Sequence, residues 1–343
     1  MKKKIYILTG ASGHVGQNII NELLKEDCEI RGLVLPEDKT ILPIHSNLKI
    51  YYGNILDMES LKPLFEADSN NEELYVIHAA GMVSIRSTYS KKMYRINVEG
   101  TKNILEMCKQ YHVQKMVYIS SVHAIQELPK NETIVETDTF DPKFIHGPYA
   151  KTKAMATSLV LQATKEGLNA CVVHPSGILG PFDANTGHLN ELVKMVASKK
   201  LHIGVKGAYD LVDVRDVASG TIAALKKGKV GECYILSGHK IQMIDFMNMI
   251  CEMQGIKKIK RIVPTWILKM IAPFAELHYK VTKKTPLFTR YSFYTLNSNS
   301  NFSCKKAIEQ FNYHRHTMVE TLKDTLQWLS NIQLIQKSPI KIK

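Results

Sequence analysis

The sequence predicts an α/β fold in which a parallel sheet is covered by helices on both faces and is followed by a smaller, irregular C-terminal portion. Apolar strand-like runs alternate with helical segments from residue 1 to about residue 120, which is the pattern of a doubly wound sheet. A glycine-rich turn follows the first apolar run directly. Beyond about residue 178 the alternation weakens, and prolines interrupt it at Pro181, Pro264, Pro273 and Pro286.

The predicted elements follow one another without a repeat, a long linker or a low-complexity segment. Strands are expected at residues 5–9, 30–35, 48–52, 75–79, 116–120 and 170–174. Helices are expected between them, at residues 16–26, 60–66, 97–111 and 149–167. The sheet is therefore expected mainly in residues 1–177. Residues 178–335 would mainly form the smaller, ligand-binding portion over the ends of the sheet, with one or more late strands returning to it, and residues 336–343 a basic tail.

Composition indicates a soluble protein with a large core. The chain has 343 residues, of which 45% are hydrophobic and 22% charged, which suits about one to two domains. Its six cysteines are scattered without paired metal-ligand spacing, so we expect reduced thiols and no metal site. The basic start runs straight into an apolar strand, without the core of a signal peptide. These features predict a cytoplasmic protein.

The formal net charge of +13 raises the possibility of a nucleic-acid partner. Lys and Arg are spread along the chain, however, apart from short runs at residues 2–4, 257–261 and 337–343. We therefore predict no nucleic-acid partner. Part of the charge has a simpler role in attracting a phosphate-bearing cofactor or an anionic substrate.

A glycine-rich turn lies between the first predicted strand and the first predicted helix. Its candidate cofactor-binding residues are Gly10, Ser12, Gly13, His14, Val15 and Gly16. The glycines allow a tight turn and a close approach of the backbone to a pyrophosphate, which would bind the N–H groups at the start of the helix. This context predicts a dinucleotide site in a Rossmann-type fold.

The choice between NAD and NADP stays open in the sequence. Dinucleotide-binding folds carry an acid near the end of the second strand for the ribose hydroxyl, or a nearby Arg for a 2′-phosphate. Val34 and Leu35 occupy that place, and Asp38 follows late. The missing acid, with Arg31 and Lys39 nearby, slightly favours NADP.

Tyr149 and Lys153 are four residues apart on a predicted helix, which places both side chains on one face. A neighbouring ammonium group favours the phenolate form and lowers the pKa of a tyrosine. We therefore expect Lys153 to lower the pKa of Tyr149, which makes Tyr149 a candidate general acid and base.

From about Lys4 to Leu329, several ordered motifs resemble the extended short-chain dehydrogenase/reductase superfamily (the NAD-dependent epimerase/dehydratase family), in its dihydroflavonol reductase and hydroxysteroid dehydrogenase-like branch. Besides the glycine turn, the matching segments are Gly53 to Asp57, His78 to Gly81, Asn97 to Thr101, Ile119 to Ser121, Tyr149 with Lys153, His174 to Gly177, and Tyr209 to Ala218. Asn54 departs mildly from the family pattern, which usually has Asp there; an amide also bonds an adenine edge.

The resemblance implies a role for each matching segment. The implied cofactor-binding residues are Asn54 and Ile55 at the adenine, Ala79, Ala80 and Gly81 below the nicotinamide ribose, and Pro175, Ser176 and Gly177 at the nicotinamide amide. The implied catalytic residues are Ser121, Tyr149, Lys153 and Asn97. Tyr149 would give a proton to the substrate oxygen during reduction, and Ser121 would hydrogen-bond that oxygen. Lys153 would also bind the ribose, and Asn97 would support a proton relay.

These expectations favour hydride transfer between NAD(P) and a carbonyl or secondary alcohol of a small organic substrate. Dehydratases of the family place an acidic pair directly after the catalytic hydroxyl residue, where this chain has Val122 and His123. A sugar-nucleotide epimerase remains the alternative, although Val122 to Gln126 lacks the Val-Tyr-Gly frequent in epimerases. A second alternative is a dinucleotide-binding redox sensor, against which the retained Ser121, Tyr149 and Lys153 argue.

Three further features complete the sequence-based account. His123 lies two residues after Ser121 and is a weaker candidate for the substrate pocket. Residues 262–277 are apolar but interrupted by prolines and charges, so amphipathic helices over the pocket are favoured over membrane contact, which stays open. A homodimer through the helices at residues 97–111 and 149–167 is an expectation from the family alone.

Overall fold

The computed structural model describes residues 2–183, 187–264, 267, 270 and 289–335. The strands are β1 (Lys3–Thr9), β2 (Glu29–Val34), β3 (Leu48–Tyr52), β4 (Glu72–His78), β5 (Lys115–Ile119), β6 (Ala170–Pro175), β7 (Gly177–Leu179), β8 (Gly204–Val205), β9 (Ala208–Asp213), β10 (Cys233–Leu236), β11 (His239–Gln242) and β12 (Ile262–Val263). Seven of them form one sheet in the order β10-β6-β5-β4-β1-β2-β3, and all its pairs are parallel. The predicted parallel α/β sheet is confirmed, with the strand order common in doubly wound folds.

The helices are α1 (His14–Leu23), α2 (Met58–Phe65), α3 (Lys91–Tyr94), α4 (Gly100–Gln110), α5 (Pro148–Lys165), α6 (His188–Ala197), α7 (Val214–Lys227), α8 (Met243–Met253), α9 (Arg290–Asn297), α10 (Lys305–Phe311) and α11 (Met318–Asn331). A π-helical turn, Arg95–Glu99, joins α3 to α4. The helices predicted at 16–26, 60–66, 97–111 and 149–167 all exist, with bounds that shift by a few residues.

Alternate side chains of β1 enter two separate cores, because successive residues of a strand point to opposite faces. Ile5 and Ile7 pack into the core that α2, α4 and α5 cover. Tyr6 and Leu8 pack into the core that α1, α7 and α10 cover. Every residue of β2, β5 and β6 is buried, as expected for central strands that helices cover on both faces.

The chain beyond residue 178 contributes to both parts of the molecule. Strand β10 pairs with β6 and extends the main sheet, and α7 packs against α1 on one face. Strands β7, β9 and β11 form a three-stranded sheet, and β8 pairs with β12. A third buried core joins this portion to α6, α8 and α11. The second portion is therefore built around its own core beside the main sheet.

Most of the apolar stretch at residues 262–277 lies outside the described residues, as does the basic tail at 336–343. The described ranges contain no helix with the length and apolar character of a membrane-spanning segment.

Candidate active site

The glycine turn follows the carboxyl end of β1 and has the close packing that a nucleotide cradle requires. Gly10 has φ of +71°, and a Cβ there would lie 2.8 Å from the backbone nitrogen of Ala80. A Cβ on Gly16 would lie 2.1 Å from the carbonyl oxygen of Gly10. Only glycine fits at both positions, so the backbone stays open at the start of α1. No side chain caps this helix, which leaves its first N–H groups for an anion.

The other residues of the turn connect it to neighbouring segments. Ser12 Oγ donates a hydrogen bond of 2.6 Å to Asp38 Oδ2. His14 Nε2 lies 3.0 Å from the carbonyl oxygen of Pro181, which ties the turn to the C-terminal portion. Val15 packs against the core below α1. The residues predicted for the cofactor therefore lie together at one edge of the sheet.

The slight preference for NADP loses one of its supports in the structure. Arg31 is buried, its Nε donates to Glu29 at 2.8 Å, and its Nη1 donates to the carbonyl oxygen of Leu64. These contacts hold Arg31 in the sheet, so it does not serve a 2′-phosphate. In the sequence, Asp38 lies beyond the position where a dinucleotide-binding fold carries its acid. In the structure, the chain turns tightly, with the Asp38 backbone N–H bonded to the Leu35 carbonyl oxygen, and this turn brings Asp38 to the glycine-rich turn. A carboxylate therefore lies at the glycine turn, where sequence reasoning found none.

The segment predicted at the adenine forms a compact turn after β3. Asn54 is exposed, and its Oδ1 accepts a hydrogen bond from the backbone of Leu56 at 2.9 Å. Ile55 is buried against Gly100, and its carbonyl accepts from Asn103 Nδ2 at 2.9 Å. Asn54 Oδ1 thus stabilises the turn, while the rest of the residue is exposed to solvent.

The segment after β4 brings a second set of predicted residues beside the glycine turn. Ala79 follows the strand, and the Ala80 backbone N–H donates to Thr9 Oγ1 at 3.1 Å. A Cβ on Gly81 would lie 3.3 Å from Asn97 Oδ1 and 3.7 Å from Lys153 Nζ. The structure therefore brings Gly81, Asn97 and Lys153 together at the carboxyl edge of the sheet.

Asn97 lies in the π-helical turn, and its exposed fraction is 1%. Its Oδ1 accepts from the backbone of Met82 at 2.7 Å, and its Nδ2 donates to Thr152 Oγ1 at 3.0 Å. Thr152 in turn donates to the carbonyl oxygen of Tyr149 at 2.7 Å. Asn97 therefore fixes the start of α5, the helix that carries Tyr149, rather than bonding Lys153 Nζ.

Tyr149 and Ser121 face each other at the end of the sheet. Tyr149 lies in the first turn of α5 and Ser121 directly follows β5, and the Ser121 hydroxyl is near enough to the phenol to oppose the rise in the pKa of Tyr149 that burial causes. Both side chains are buried, with exposed fractions of 9% and 6%. The preceding residue, Ser120, instead bonds Thr157 at 2.7 Å inside the core. Of the two serines, it is therefore Ser121 that lies near Tyr149.

The expected effect of Lys153 on Tyr149 differs in the structure. Burial raises the pKa of Tyr149 to about 12, and the nearby Ser121 hydroxyl opposes this rise. Lys153 Nζ instead donates to the Tyr118 hydroxyl at 3.0 Å and to the carbonyl oxygen of Ile119 at 2.6 Å. Burial lowers the pKa of Lys153 to about 7. The expected lowering of the Tyr149 pKa by Lys153 is therefore not found in the cofactor-free structure, where burial dominates at both residues.

The segment from Pro175 to Gly177, where β6 passes into β7, forms the other side of the site at this sheet edge. Pro175, Ser176 and Gly177 are all buried. A Cβ on Gly177 would lie 2.4 Å from Cε1 of Tyr209, so the Tyr209 ring lies directly on this loop. His174 Nδ1 is 2.9 Å from the carbonyl oxygen of Ser121, which connects the loop to the Ser121 turn. Tyr209 belongs to the late motif noted in the sequence, but nothing in its spacing singled out this ring.

A cavity of about 380 Å³ is lined by the residues that follow Ser121 and by residues 144–146, which precede Tyr149, although neither Ser121 nor Tyr149 lines it. It is enclosed by the segment after Ser121, the segment that leads into α5, and the region of α9. Its apolar lining residues are Val122, Ile125, Leu128, Pro129, Ile134, Phe144, Ile145 and Phe302, and its polar ones are His123, Gln126, Glu127, His146, Tyr291, Tyr294, Ser298 and Asn299. Among these lining residues there is no Lys or Arg. Tyr291 and Tyr294 come from a region whose sequence offered no motif.

One group of side chains with metal-binding chemistry lies elsewhere in the described part of the chain. Asp216 on α7 and His316 before α11 are in hydrogen-bond contact, with His316 Nδ1 2.6 Å from Asp216 Oδ1, and His314 lies beside them. The His316 backbone also donates to Asp216 at 2.7 Å. The pair therefore joins the C-terminal segment to α7.

Comparison with known proteins places this geometry in a family. The sequence profile of the NAD dependent epimerase/dehydratase family matches residues 6–237. Sterol demethylase protein B of Methylococcus capsulatus is 27% identical over 296 residues, 85% of this chain and 88% of that protein. The 3-beta-hydroxysteroid dehydrogenase of Mycolicibacterium neoaurum is 26% identical over 324 residues, which cover 90% and 86% of the two chains.

Solved structures agree with the fold. The crystal structure of gox2253 superposes with a TM-score of 0.81 at 26% identity, covering 97% of this chain and 99% of that one. The dTDP-glucose 4,6-dehydratase of Bacillus anthracis, solved in complex with NAD, superposes with a TM-score of 0.73 at 20% identity, covering 96% and 97%. The profile match spans well over half of the sequence. The chain therefore belongs to the NAD dependent epimerase/dehydratase family.

Proposed function

We propose that this protein is an NAD(H)-dependent oxidoreductase that transfers a hydride between the nicotinamide and a carbonyl or secondary alcohol of a small organic substrate. The observation that carries the proposal is the placement of Ser121 and Tyr149 beside buried Lys153, at the same sheet edge as the glycine cradle. A general acid and an oxygen-binding hydroxyl are thereby held beside a dinucleotide site.

The residues at this edge fit a bound dinucleotide. Positions 10 and 16 are too crowded for any residue larger than glycine. Because neither carries a side chain, the backbone at the start of α1 stays open to a pyrophosphate. Lys153 and Gly81 would adjoin the nicotinamide ribose, and the loop from Pro175 to Gly177 the nicotinamide amide. The bound cofactor supplies the hydride donor or acceptor at C4 of its ring.

Side chains of the protein would supply the proton and bind the substrate oxygen. During reduction Tyr149 would donate its phenolic proton to the oxygen as negative charge develops there, and Ser121 would donate a second hydrogen bond. With a pKa of about 7, Lys153 would exist in both its neutral and its charged form near neutral pH. It would lie beside the path of the proton that Tyr149 exchanges. The buried surroundings exclude water and strengthen each of these hydrogen bonds.

The lining of the adjacent cavity supports an oxidoreductase over the alternative of a sugar-nucleotide epimerase. Apolar and aromatic side chains make up much of the cavity, and its described lining contains no Lys or Arg to bind a nucleotide diphosphate. Two relatives are named as a sterol demethylase protein and a hydroxysteroid dehydrogenase. We propose a substrate with an apolar body that fills this cavity, with its carbonyl or hydroxyl at Tyr149.

The Tyr149→Phe variant tests the proposed chemistry. Loss of the phenolic proton donor should lower turnover by about 10²- to 10⁴-fold, because that is the usual contribution of a positioned general acid. NADH binding, followed by fluorescence titration, should remain because the ring and its packing are kept. Turnover that survives the substitution would contradict the role given to Tyr149, and the same titration reports whether the site still forms.

We also propose that the preferred cofactor is NAD rather than NADP. Asp38 is held at the glycine turn by Ser12 Oγ and by the Thr40 backbone N–H at 2.9 Å. A carboxylate there would accept hydrogen bonds from a ribose diol and repel a 2′-phosphate. Arg31, the cation that favoured NADP, is engaged in the sheet.

The Asp38→Asn variant tests this preference by removing the charge while keeping an oxygen acceptor for Ser12. The ratio of NADPH to NADH affinity should rise by about tenfold, as expected when a like-charge contact is removed. Parallel fluorescence titrations with both cofactors measure it. Glu37→Gln, which removes a neighbouring exposed carboxylate, is the control and should change the ratio little. Wild-type protein that binds NADPH as tightly as NADH would overturn the proposed preference.

A further inference from the structure

The aromatic ring of Tyr209 occupies a junction between three segments of the candidate site. Tyr209 is the second residue of β9, which pairs with β7 and β11. Its ring covers Gly177 so closely that any Cβ on Gly177 would overlap ring atoms, at 2.4 Å and 2.7 Å. Gly177 ends the loop proposed to meet the nicotinamide. Tyr209 therefore packs on the cofactor side of the site without being part of the cofactor motif.

The hydroxyl group of Tyr209 reaches the segment that carries the catalytic serine. It lies 2.6 Å from His123 Nε2, and the two rings are tilted with centroids 5.9 Å apart. This short contact is the side-chain link between β9 and the helical turn Val122–Ala124. The turn after Ser121 is thereby fixed to a strand of the C-terminal portion.

His123 in turn acts directly on the Ser121 hydroxyl through its backbone. The His123 N–H donates to Ser121 Oγ at 3.2 Å, and the serine caps the short turn. This bond occupies one acceptor direction of the oxygen. The serine proton is then free to point toward Tyr149 or a substrate oxygen.

The Tyr209 hydroxyl thus reaches the serine turn through His123. Burial, and to a lesser degree the charge of a Tyr149 phenolate, raises the pKa of Tyr209, so its hydroxyl stays protonated near pH 7. Burial lowers the pKa of His123 to about 4, which leaves its imidazole neutral near pH 7, with one nitrogen as donor and one as acceptor. The charged group facing His123 is Glu127, whose carboxylate Tyr294 and the Asn299 backbone already bond. His123 and Tyr209 therefore form a neutral, mutually satisfied pair.

We propose that His123 and Tyr209 form a positioning pair that holds the Ser121 hydroxyl in its productive orientation and fixes the serine turn against the nicotinamide loop. The inference deepens the proposed hydride transfer and rests on it. Neither residue is given a proton-transfer step. Their effect passes through the backbone bond from His123 to Ser121 and through the contact of Tyr209 with Gly177.

The test compares Tyr209→Phe, His123→Ala, His123→Gln and the double variant Tyr209→Phe/His123→Ala. Tyr209→Phe keeps the ring over Gly177 and removes only the hydroxyl, so kcat should fall by about fivefold, as for one lost hydrogen bond. NADH affinity should stay within about twofold, because neither residue belongs to the glycine cradle. His123→Ala should lower kcat at least as much.

The double variant separates a coupled pair from two independent structural residues. If the residues act together, its kcat should equal that of His123→Ala, because the Tyr209 hydroxyl has nothing left to hold. His123→Gln, whose amide reaches toward the place of Nε2, should regain part of the kcat lost in His123→Ala. Tyr75→Phe removes a hydroxyl bonded to Glu73 on β4 and is the matched control, expected to leave kcat unchanged.

The outcomes distinguish this proposal from the proposed function. Wild-type protein without turnover, or turnover that survives in Tyr149→Phe, overturns the proposed chemistry and the positioning pair with it. Turnover that Tyr149→Phe abolishes but Tyr209→Phe leaves intact overturns the pair alone. Losses that multiply in the double variant also overturn it, since independent residues would give that result. The His123 variants keep the test decisive if thermal unfolding shows that Tyr209→Phe does not fold.

Discussion

At the scale of single residues, Lys153 shows how burial controls the site. Its exposed fraction is 6%, and burial lowers the pKa of its ammonium group to about 7, whereas the ordinary value is 10.5. The unfolded chain therefore binds more protons than the folded one between about pH 7 and pH 10.5. Because stability rises with pH wherever the unfolded state binds more protons, the titration of Lys153 should make the free energy of unfolding of the cofactor-free protein increase with pH across that window.

Lys153→Met measures this contribution. The variant keeps an unbranched chain of similar length and removes the titrating group, so it should show a smaller increase in unfolding free energy between pH 7 and pH 9.5 than wild type. Urea unfolding at a series of pH values gives the comparison. Equal slopes in both proteins would mean that the lysine titrates near its ordinary value and that its environment is more polar than the contacts with Tyr118 and Ile119 indicate.

At the scale of elements, the start of α5 depends on a glycine that no larger residue can replace without a clash. Gly147 has φ of +91°, and a Cβ there would lie 2.1 Å from Cε2 of Tyr291. Gly167, just beyond the other end of α5, has a similar φ of +100° but nothing within 4 Å of its Cβ position. The two positions separate backbone strain from crowding.

Gly147→Ala should therefore cost more than Gly167→Ala. Both pay for a left-handed backbone, about 1 kcal/mol, but only Gly147→Ala must also displace the buried Tyr291 ring, for about 1–3 kcal/mol more. Thermal unfolding of both variants checks the difference in stability. Turnover should fall in Gly147→Ala alone, because Tyr149 begins the same helix. Equal losses of stability would contradict this and show that α9, which carries Tyr291, shifts at little cost to accommodate the added methyl group.

Local sequence signals predicted the elements of the first half well, for a physical reason. Of the six predicted strands, all but the edge strand β3 are wholly or mostly buried, and turns separate them, so strand type and order were readable. The second half was less readable because β7, β8, β11 and β12 are only two to four residues long. Such strands exist through pairing with distant segments, which leaves almost no local signature.

At the scale of the whole molecule, the candidate site combines motifs with contacts that only the fold creates. Tyr149, Lys153 and the glycine turn were predicted from spacing along the chain and Ser121 from the family resemblance, and the parallel sheet brings them to one edge. Asp38 and Tyr209 have no such spacing. A tight turn returns Asp38 to Ser12, and a second small sheet delivers Tyr209 to Gly177. Their roles follow from three-dimensional proximity.

The most direct measurement of the central claim is transfer of deuterium from 4-deuterated NADH to product by the wild-type protein, with Tyr149→Phe in parallel. A panel of ketones and aldehydes with apolar bodies suits the cavity beside Tyr149. The account predicts one deuterium on the carbinol carbon of the released alcohol, one NAD formed per product, and little product from the variant. Substrate conversion without deuterium or NADH consumption, as in an epimerase that returns its hydride, would contradict it, as would tight NADH binding without conversion of any compound in the panel.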